Sequence, residues 1–225
     1  MQRLRRLTRA LVYGVLVAVP VTALVFVVRS KANPVTDFDA AAIASATAYT
    51  RSHAAFRDFL LGWEWTTQPI RVYLVTTAVC AWMWLRRNEK TRAWWAFLTM
   101  MVGWNLALVI KYLVQRARPV VEDPITKAPG YSFPSGHVAN MTIAMTTMLV
   151  LLWPLLRGTS SKVAAIAVAV GMVVMTMIDR IWLGVHFPSD TVGGVILGVG
   201  LVLASYAGYQ NWHPKDMANV KEVVR

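Results

Sequence analysis

Residues 132–153 read SFPSGHVANMTIAMTTMLVLLW. The stretch changes character halfway. It opens as a polar turn, Pro134-Ser135-Gly136-His137, and continues as a long apolar run. A helix needs about 20 mostly apolar residues to cross a bilayer, and 138–156 comes close. Why a serine, a glycine and a histidine should stand at the mouth of such a segment depends on what else reaches the same place.

Five further stretches share the apolar composition. They are 10–28; 70–85, short and interrupted by Arg71; 93–114, with Lys111 near its end; 163–178; and the glycine-rich 191–207. All are expected to be helices, because a lone strand leaves its backbone groups unsatisfied in lipid. The expected fold class is therefore all-α, a polytopic membrane protein with six transmembrane helices. The segment between the first two runs, 29–69, is the longest. Its DFDAAAIASATAYTRSHAAFRDFLLGWEW portion is amphipathic enough for one or two short interfacial helices. With no internal repeat or linker, 1–225 reads as a single integral-membrane domain.

Composition agrees. The chain is 56% hydrophobic and 15% charged, with a mean hydropathy of +0.48; soluble domains are nearer 25% charged. The single cysteine, Cys80, cannot form an internal disulfide and reads as a small apolar core residue. The first run follows Arg3, Arg5, Arg6 and Arg9 but lacks a small-x-small cleavage site, so it reads as an uncleaved anchor.

The net charge of +12 is a topology signal, not a nucleic-acid footprint. With the N-terminus in the cytoplasm and six spans threaded, the inner segments hold 13 of the 23 Lys and Arg in about 40 residues. No nucleic-acid motif accompanies the charge. Arg116 reads as a snorkelling residue or headgroup contact, and His53 and His213 lack evident partners.

On this threading three polar clusters reach one outer face. They are KYLVQRARP (111–119), YSFPSGH (131–137) and DRIWLGVHFPSD (179–190). Lys111, Arg118 and Arg180 place three cations at the hydrocarbon edge, where charge is costly and usually functional. Few carboxylates nearby would pair with them, and arginine forks match phosphate oxygens. Ser135 and Gly136 precede a helix N-terminus, which also favours an anion. His186 has Asp190 four residues on, able to fix its tautomer and raise its basicity. His137 stands across the anion as a proton donor. A nucleophilic histidine, an acid histidine and a cationic cradle describe phosphoryl transfer through a phosphohistidine, with no metal or cofactor required.

At these residues the chain resembles the type-2 phosphatidic acid phosphatase family of membrane lipid phosphatases. Lys111 and Arg118-Pro119 match its K-x6-RP motif, Pro134-Ser135-Gly136-His137 its PSGH motif, and Arg180, His186 and Asp190 its SR-x5-H-x3-D motif. One position departs: Asp179 stands where the family has serine. The resemblance implies that Lys111, Arg118, Ser135, Gly136 and Arg180 bind phosphate. It makes His137 the general acid, His186 the nucleophile and Asp190 its partner. The positive-inside pattern and the lack of targeting signals place the expected enzyme in a bacterial plasma membrane with cytoplasmic termini and an outward site. Its substrate is a lipid phosphate or diphosphate, with a polyprenyl diphosphate favoured over phosphatidylglycerol phosphate or phosphatidic acid. The alternatives are a lipid phosphotransferase and a non-enzymatic lipid-binding or transport protein.

Overall fold

The structure is a computed structural model and describes residues 2–30, 33–121 and 124–209. Among these residues there are eight α-helices, one short 3-10 helix and no strand. In chain order they are α1 (Gln2–Arg29), α2 (Pro34–Ser52), α3 (Ala54–Thr66), α4 (Pro69–Arg87), α5 (Lys90–Val114), α6 (Gly136–Leu152), α7 (Thr159–Trp182) and α8 (Pro188–Tyr209); the 3-10 turn Trp153–Leu155 extends α6. The basic residues and His213 of the expected inner tail lie outside the described residues.

Among the described residues five helices are long and apolar enough to cross a membrane: α1 from Leu11, α5, α6 with its 3-10 extension, α7 and α8. The sixth expected span, 70–85, is helical as α4 but is not among them. Arg71 near one end, and Arg86 and Arg87 at the other, shorten its apolar stretch.

α8 packs along α1 and α6, and α6 also touches α4, α5 and α7. α6 is therefore central, and its residues are apolar or small on every side. Glycine makes the α6–α8 contact possible. A Cβ on Gly194 would lie 3.0 Å from the backbone nitrogen of Ala139 and 3.1 Å from the carbonyl oxygen of Ser135. One on Gly198 would lie 2.7 Å from the Thr142 Cβ. Small residues thus let the two backbones meet, as is usual between helices in lipid. An aromatic and apolar core forms around Tyr73, Met83, Trp95, Met100, Ile143 and Leu151, with buried Cys80 among them.

The helices of the 29–69 segment are not simply laid on a surface. Asn33 caps α2 with a reciprocal capping box, and Pro34 starts its first turn. α2 then buries Asp39, Ile43, Ala46, Thr47 and Thr50, and the Thr50 hydroxyl donates to the carbonyl of Trp182 at 3.0 Å. Leu60 of α3 packs on Leu183 and Val185. Both helices therefore lean on the end of α7. Amphipathicity gives the existence of such helices but not this docking.

Candidate active site

The end of α7 builds the first wall of the site. The helix stops at Gly184, whose φ of +74° suits glycine and whose missing Cβ would press on Thr47 at 2.7 Å. The amides of Val185 and His186 fold back onto the carbonyl of Arg180, each at 3.2 Å. This turn sets His186 above Arg180. α8 then begins at Pro188. Asp190, in its first turn, accepts a hydrogen bond from the amide of Phe187 at 2.9 Å. A helix N-terminus favours a carboxylate there.

The second wall is the start of α6. Ser135 is its N-cap, yet the Ser135 hydroxyl makes no capping bond. Ser135 Oγ and His137 Nε2 are both buried without a hydrogen-bond partner. The Ser135 amide donates to the carbonyl of Asp190 at 3.0 Å, tying this turn to α8. The third wall is the end of α5 and the chain after it. Lys111 Nζ lies 3.9 Å from the position a Cβ would take on Gly136. Arg118 donates to the carbonyls of Val185, Gly130 and Pro129 at 2.7–3.0 Å. Arg180, His186, Lys111 and Arg118 all lie within electrostatic reach of His137. The eight residues picked out by sequence therefore stand together.

The hydrogen bonds fix the state of His186. Arg118 Nη1 is 3.1 Å from His186 Nε2, and a guanidinium can only donate, so Nε2 is the unprotonated nitrogen. The proton sits on Nδ1, which faces Asp190 Oδ2 at 3.6 Å and Ser132 Oγ at 3.4 Å. The Ser132 hydroxyl in turn donates to Asp190 Oδ2. The expected histidine–aspartate pair is thus slightly open and bridged by a serine. Burial pushes the His186 pKa down to about 4; Asp190 works against that, while Arg118 and Lys111 add to it. A buried neutral imidazole with an unprotonated Nε2 is the form a nucleophile requires, once the Arg118 hydrogen bond to that nitrogen turns to the phosphoryl oxygens.

Three expectations need correction. The three motif cations were expected to lack carboxylate partners. Arg180 instead donates from Nε and Nη2 to Asp179 Oδ2, and from Nη1 to Glu64 Oε1 at 2.8 Å. Asp179, the position that departs from the motif, is what holds it, and its other carboxylate oxygen is buried without a partner. Arg116 was expected to snorkel. It is instead part-buried between Asp39 and Asp190, at 2.8 and 2.6 Å. Sequence reasoning missed Asp39, Glu64, Arg116 and Ser132 as parts of the site. Ser132 and Arg116 do stand inside the quoted motif stretches, whereas Asp39 and Glu64 arrive from the outer helices without any local signal. His53, expected to lack partners, stacks on Tyr49 with ring centroids 3.9 Å apart.

The architecture and the motifs agree with comparison to known proteins. A family model described as the PAP2 superfamily matches residues 92–214. The chain belongs to that superfamily. It is 31% identical over 113 residues to phosphatidylglycerophosphatase B of Bacillus subtilis, covering 48% of this chain and 55% of the relative. It is 32% identical over 112 residues to decaprenylphosphoryl-5-phosphoribose phosphatase of Mycobacterium tuberculosis, covering 48% and 56%. These matches span about half the length of the curated relatives. Among solved structures, the transmembrane PAP2-type phosphatidylglycerolphosphate phosphatase of Bacillus subtilis superposes with a TM-score of 0.72 at 22% identity, covering 85% of this chain and 93% of that one. LpxE of Aquifex aeolicus gives 0.54 at 22% identity, covering 68% and 87%. The structural likeness establishes the fold.

Proposed function

We propose that this PAP2 protein is a metal-independent phosphatase that removes the terminal phosphate of a membrane lipid through a phosphohistidine on His186. The observation that carries the reading is the unprotonated Nε2 of buried His186, which accepts a hydrogen bond from Arg118 that an incoming phosphoryl group must displace, with Asp190 behind the ring. The Nε2 lone pair attacks phosphorus, and the bond from phosphorus to the lipid oxygen breaks. His137, carrying protons on both ring nitrogens once the substrate's phosphate anion sits beside it, gives the Nε2 proton to that departing oxygen and is left as the neutral imidazole. Water then attacks the P–N bond while His137 takes its proton, releasing inorganic phosphate and neutral His186. Lys111, Arg118, the Ser135 hydroxyl and the free amides at the start of α6 stabilise the phosphoryl charge. Among the described residues Lys111 and Arg118 have no carboxylate within ion-pairing distance, so their charge is available to substrate.

We read α4 as a sixth span, which places the site at the outer face of a bacterial plasma membrane and both termini in the cytoplasm. An outward site suits a polyprenyl diphosphate whose headgroup lies at that face, and this is the favoured substrate. A phosphorylated glycerol or sugar headgroup is the second reading, supported by the names of the two curated relatives.

The test is phosphate release by the detergent-purified protein in EDTA. Polyprenyl diphosphate and phosphatidylglycerol phosphate would be offered in parallel, with His186→Ala as control. Release that persists in EDTA and is lost in the variant is expected, and the faster lipid names the headgroup. No release from either lipid, or equal release from the variant, contradicts the proposal.

A further inference from the structure

Arg116 makes three side-chain hydrogen bonds beside the site, two of them to carboxylates, yet it belongs to none of the matched motif positions. Its guanidinium splits between two carboxylates. Nη2 donates to Asp39 Oδ2 at 2.8 Å, and Nη1 donates to Asp190 Oδ1 at 2.6 Å and to Ser189 Oγ at 2.7 Å. The group also lies over the Phe187 ring, 4.3 Å from its centroid. Asp39, from α2, is itself fully committed. Its Oδ1 accepts from the Ser189 amide at 3.0 Å, and its Oδ2 accepts from the Ser189 hydroxyl as well as from Arg116. Asp39 therefore caps the first turn of α8 from another helix while bracing Arg116.

We propose that Arg116, braced by Asp39, is a positioning residue that sets both the orientation and the basicity of Asp190, and through it the nucleophile His186. This rests on the phosphohistidine reading above. Asp190 Oδ1 is held by Arg116, and Oδ2 takes Ser132 and the Phe187 amide, so the carboxylate cannot rotate. One oxygen is left facing His186 Nδ1. The guanidinium also draws charge from the carboxylate, which limits its pull on the Nδ1 proton. Without that restraint, Asp190 would hold a protonated His186 more strongly, and an imidazolium has no lone pair for phosphorus. The other groups that face His186 are Ser132, Arg118, Lys111 and His137, and none of them touches Asp39.

The experiment compares Arg116→Met, Arg116→Lys and Asp39→Asn in the full-length protein in detergent. Phosphate release from phosphatidylglycerol phosphate and polyprenyl diphosphate gives kcat and KM across pH. The His186 titration is followed in parallel by NMR of 15N-histidine-labelled protein, which needs no turnover. Arg116→Met is expected to lower kcat about 10- to 100-fold with KM within about threefold. It should also raise the His186 midpoint and the acid limb of kcat/KM by about half a unit or more. Arg116→Lys should recover part of kcat, and Asp39→Asn, which removes an anion and leaves the Arg116 charge to Asp190 alone, should shift the midpoint in the opposite direction by less. An unmoved His186 midpoint in both Arg116→Met and Asp39→Asn overturns the inference, whatever their melting temperatures. Wild-type protein that releases no phosphate from either lipid would defeat the hydrolase reading instead, and the titration would still decide the coupling.

Discussion

The two sides of the site use their arginines differently. On the α5 side, Arg118 donates to three carbonyls and to His186, and Lys111 stands beside Gly136; neither pairs with a described carboxylate. On the α7 side, Arg180 is fully buried and clamped by Asp179 and Glu64. Three cations that look equivalent as motif positions are therefore unequal. The first side offers net charge to an anion, whereas the second offers shape and two remaining N–H groups with its charge already answered. A buried arginine needs such partners, because a lone charge in a low-dielectric interior is too costly.

The largest effect that sharpens this contrast is expected at Arg118. Arg118→Gln should lower kcat/KM for lipid phosphate about 100- to 1,000-fold, since it removes an uncompensated cation from the transition state. Thermal unfolding in detergent should move less than catalysis, because two of the four hydrogen bonds Arg118 makes are solvent-exposed and the groups it frees there can be rehydrated. Similar losses from Arg118→Gln and from a change that frees Arg180 would erase the distinction between the two sides.

The next effect is at the departing position. Asp179→Ser removes the carboxylate oxygen that accepts from both Nε and Nη2 of Arg180 and leaves Glu64 alone. Inhibition by orthovanadate should tighten about fivefold or more as the fork becomes available to an anion. Melting should fall by about 5–10 °C from the loss of a buried partner. Weaker vanadate binding with unchanged melting would show that Asp179 helps the anion and does not restrain its ligand.

The smallest effect concerns pH and stability. His186 is held neutral, with its pKa down near 4 against an ordinary 6.5. A base with a depressed folded pKa binds fewer protons folded than unfolded. Its neutral state costs nothing above pH 6.5, and stability is lost as pH falls from about 6.5 toward 4. His186→Gln should therefore show a shallower decline of melting temperature across that window than wild type. Parallel declines in the two proteins would mean that His186 is not buried as a neutral imidazole.

How much of this was legible in sequence follows from the range of each signal. Long apolar runs gave the helices, because lipid forces the backbone into them. The run at 70–85 was the weakest, and α4 is the helix that falls short of the other five. The three polar clusters were found because each sits at the end of a run, and one threading brings them to one face. The error on Arg180 came from treating Asp179 only as a missing serine, when a carboxylate next to an arginine is also its nearest partner. The error on Arg116 came from judging it without Asp39, which lies 77 residues earlier in sequence. Asp39 and Glu64 carry no local pattern. Only the docking of α2 and α3 on α7, decided by side chains such as Leu60 and Thr50, delivers them to the site.

The central claim is that His186 carries the phosphoryl group. Rapid-quench single turnover with a lipid labelled on its terminal phosphate tests it most directly, with an alkaline quench that preserves phosphohistidine and peptide mapping of the label. Transient label on the peptide containing His186, absent from His186→Ala and accumulating when water attack is slowed in His137→Gln, is the predicted result. Phosphate release at the full rate with no label on that peptide, or label that survives in His186→Ala, would contradict it.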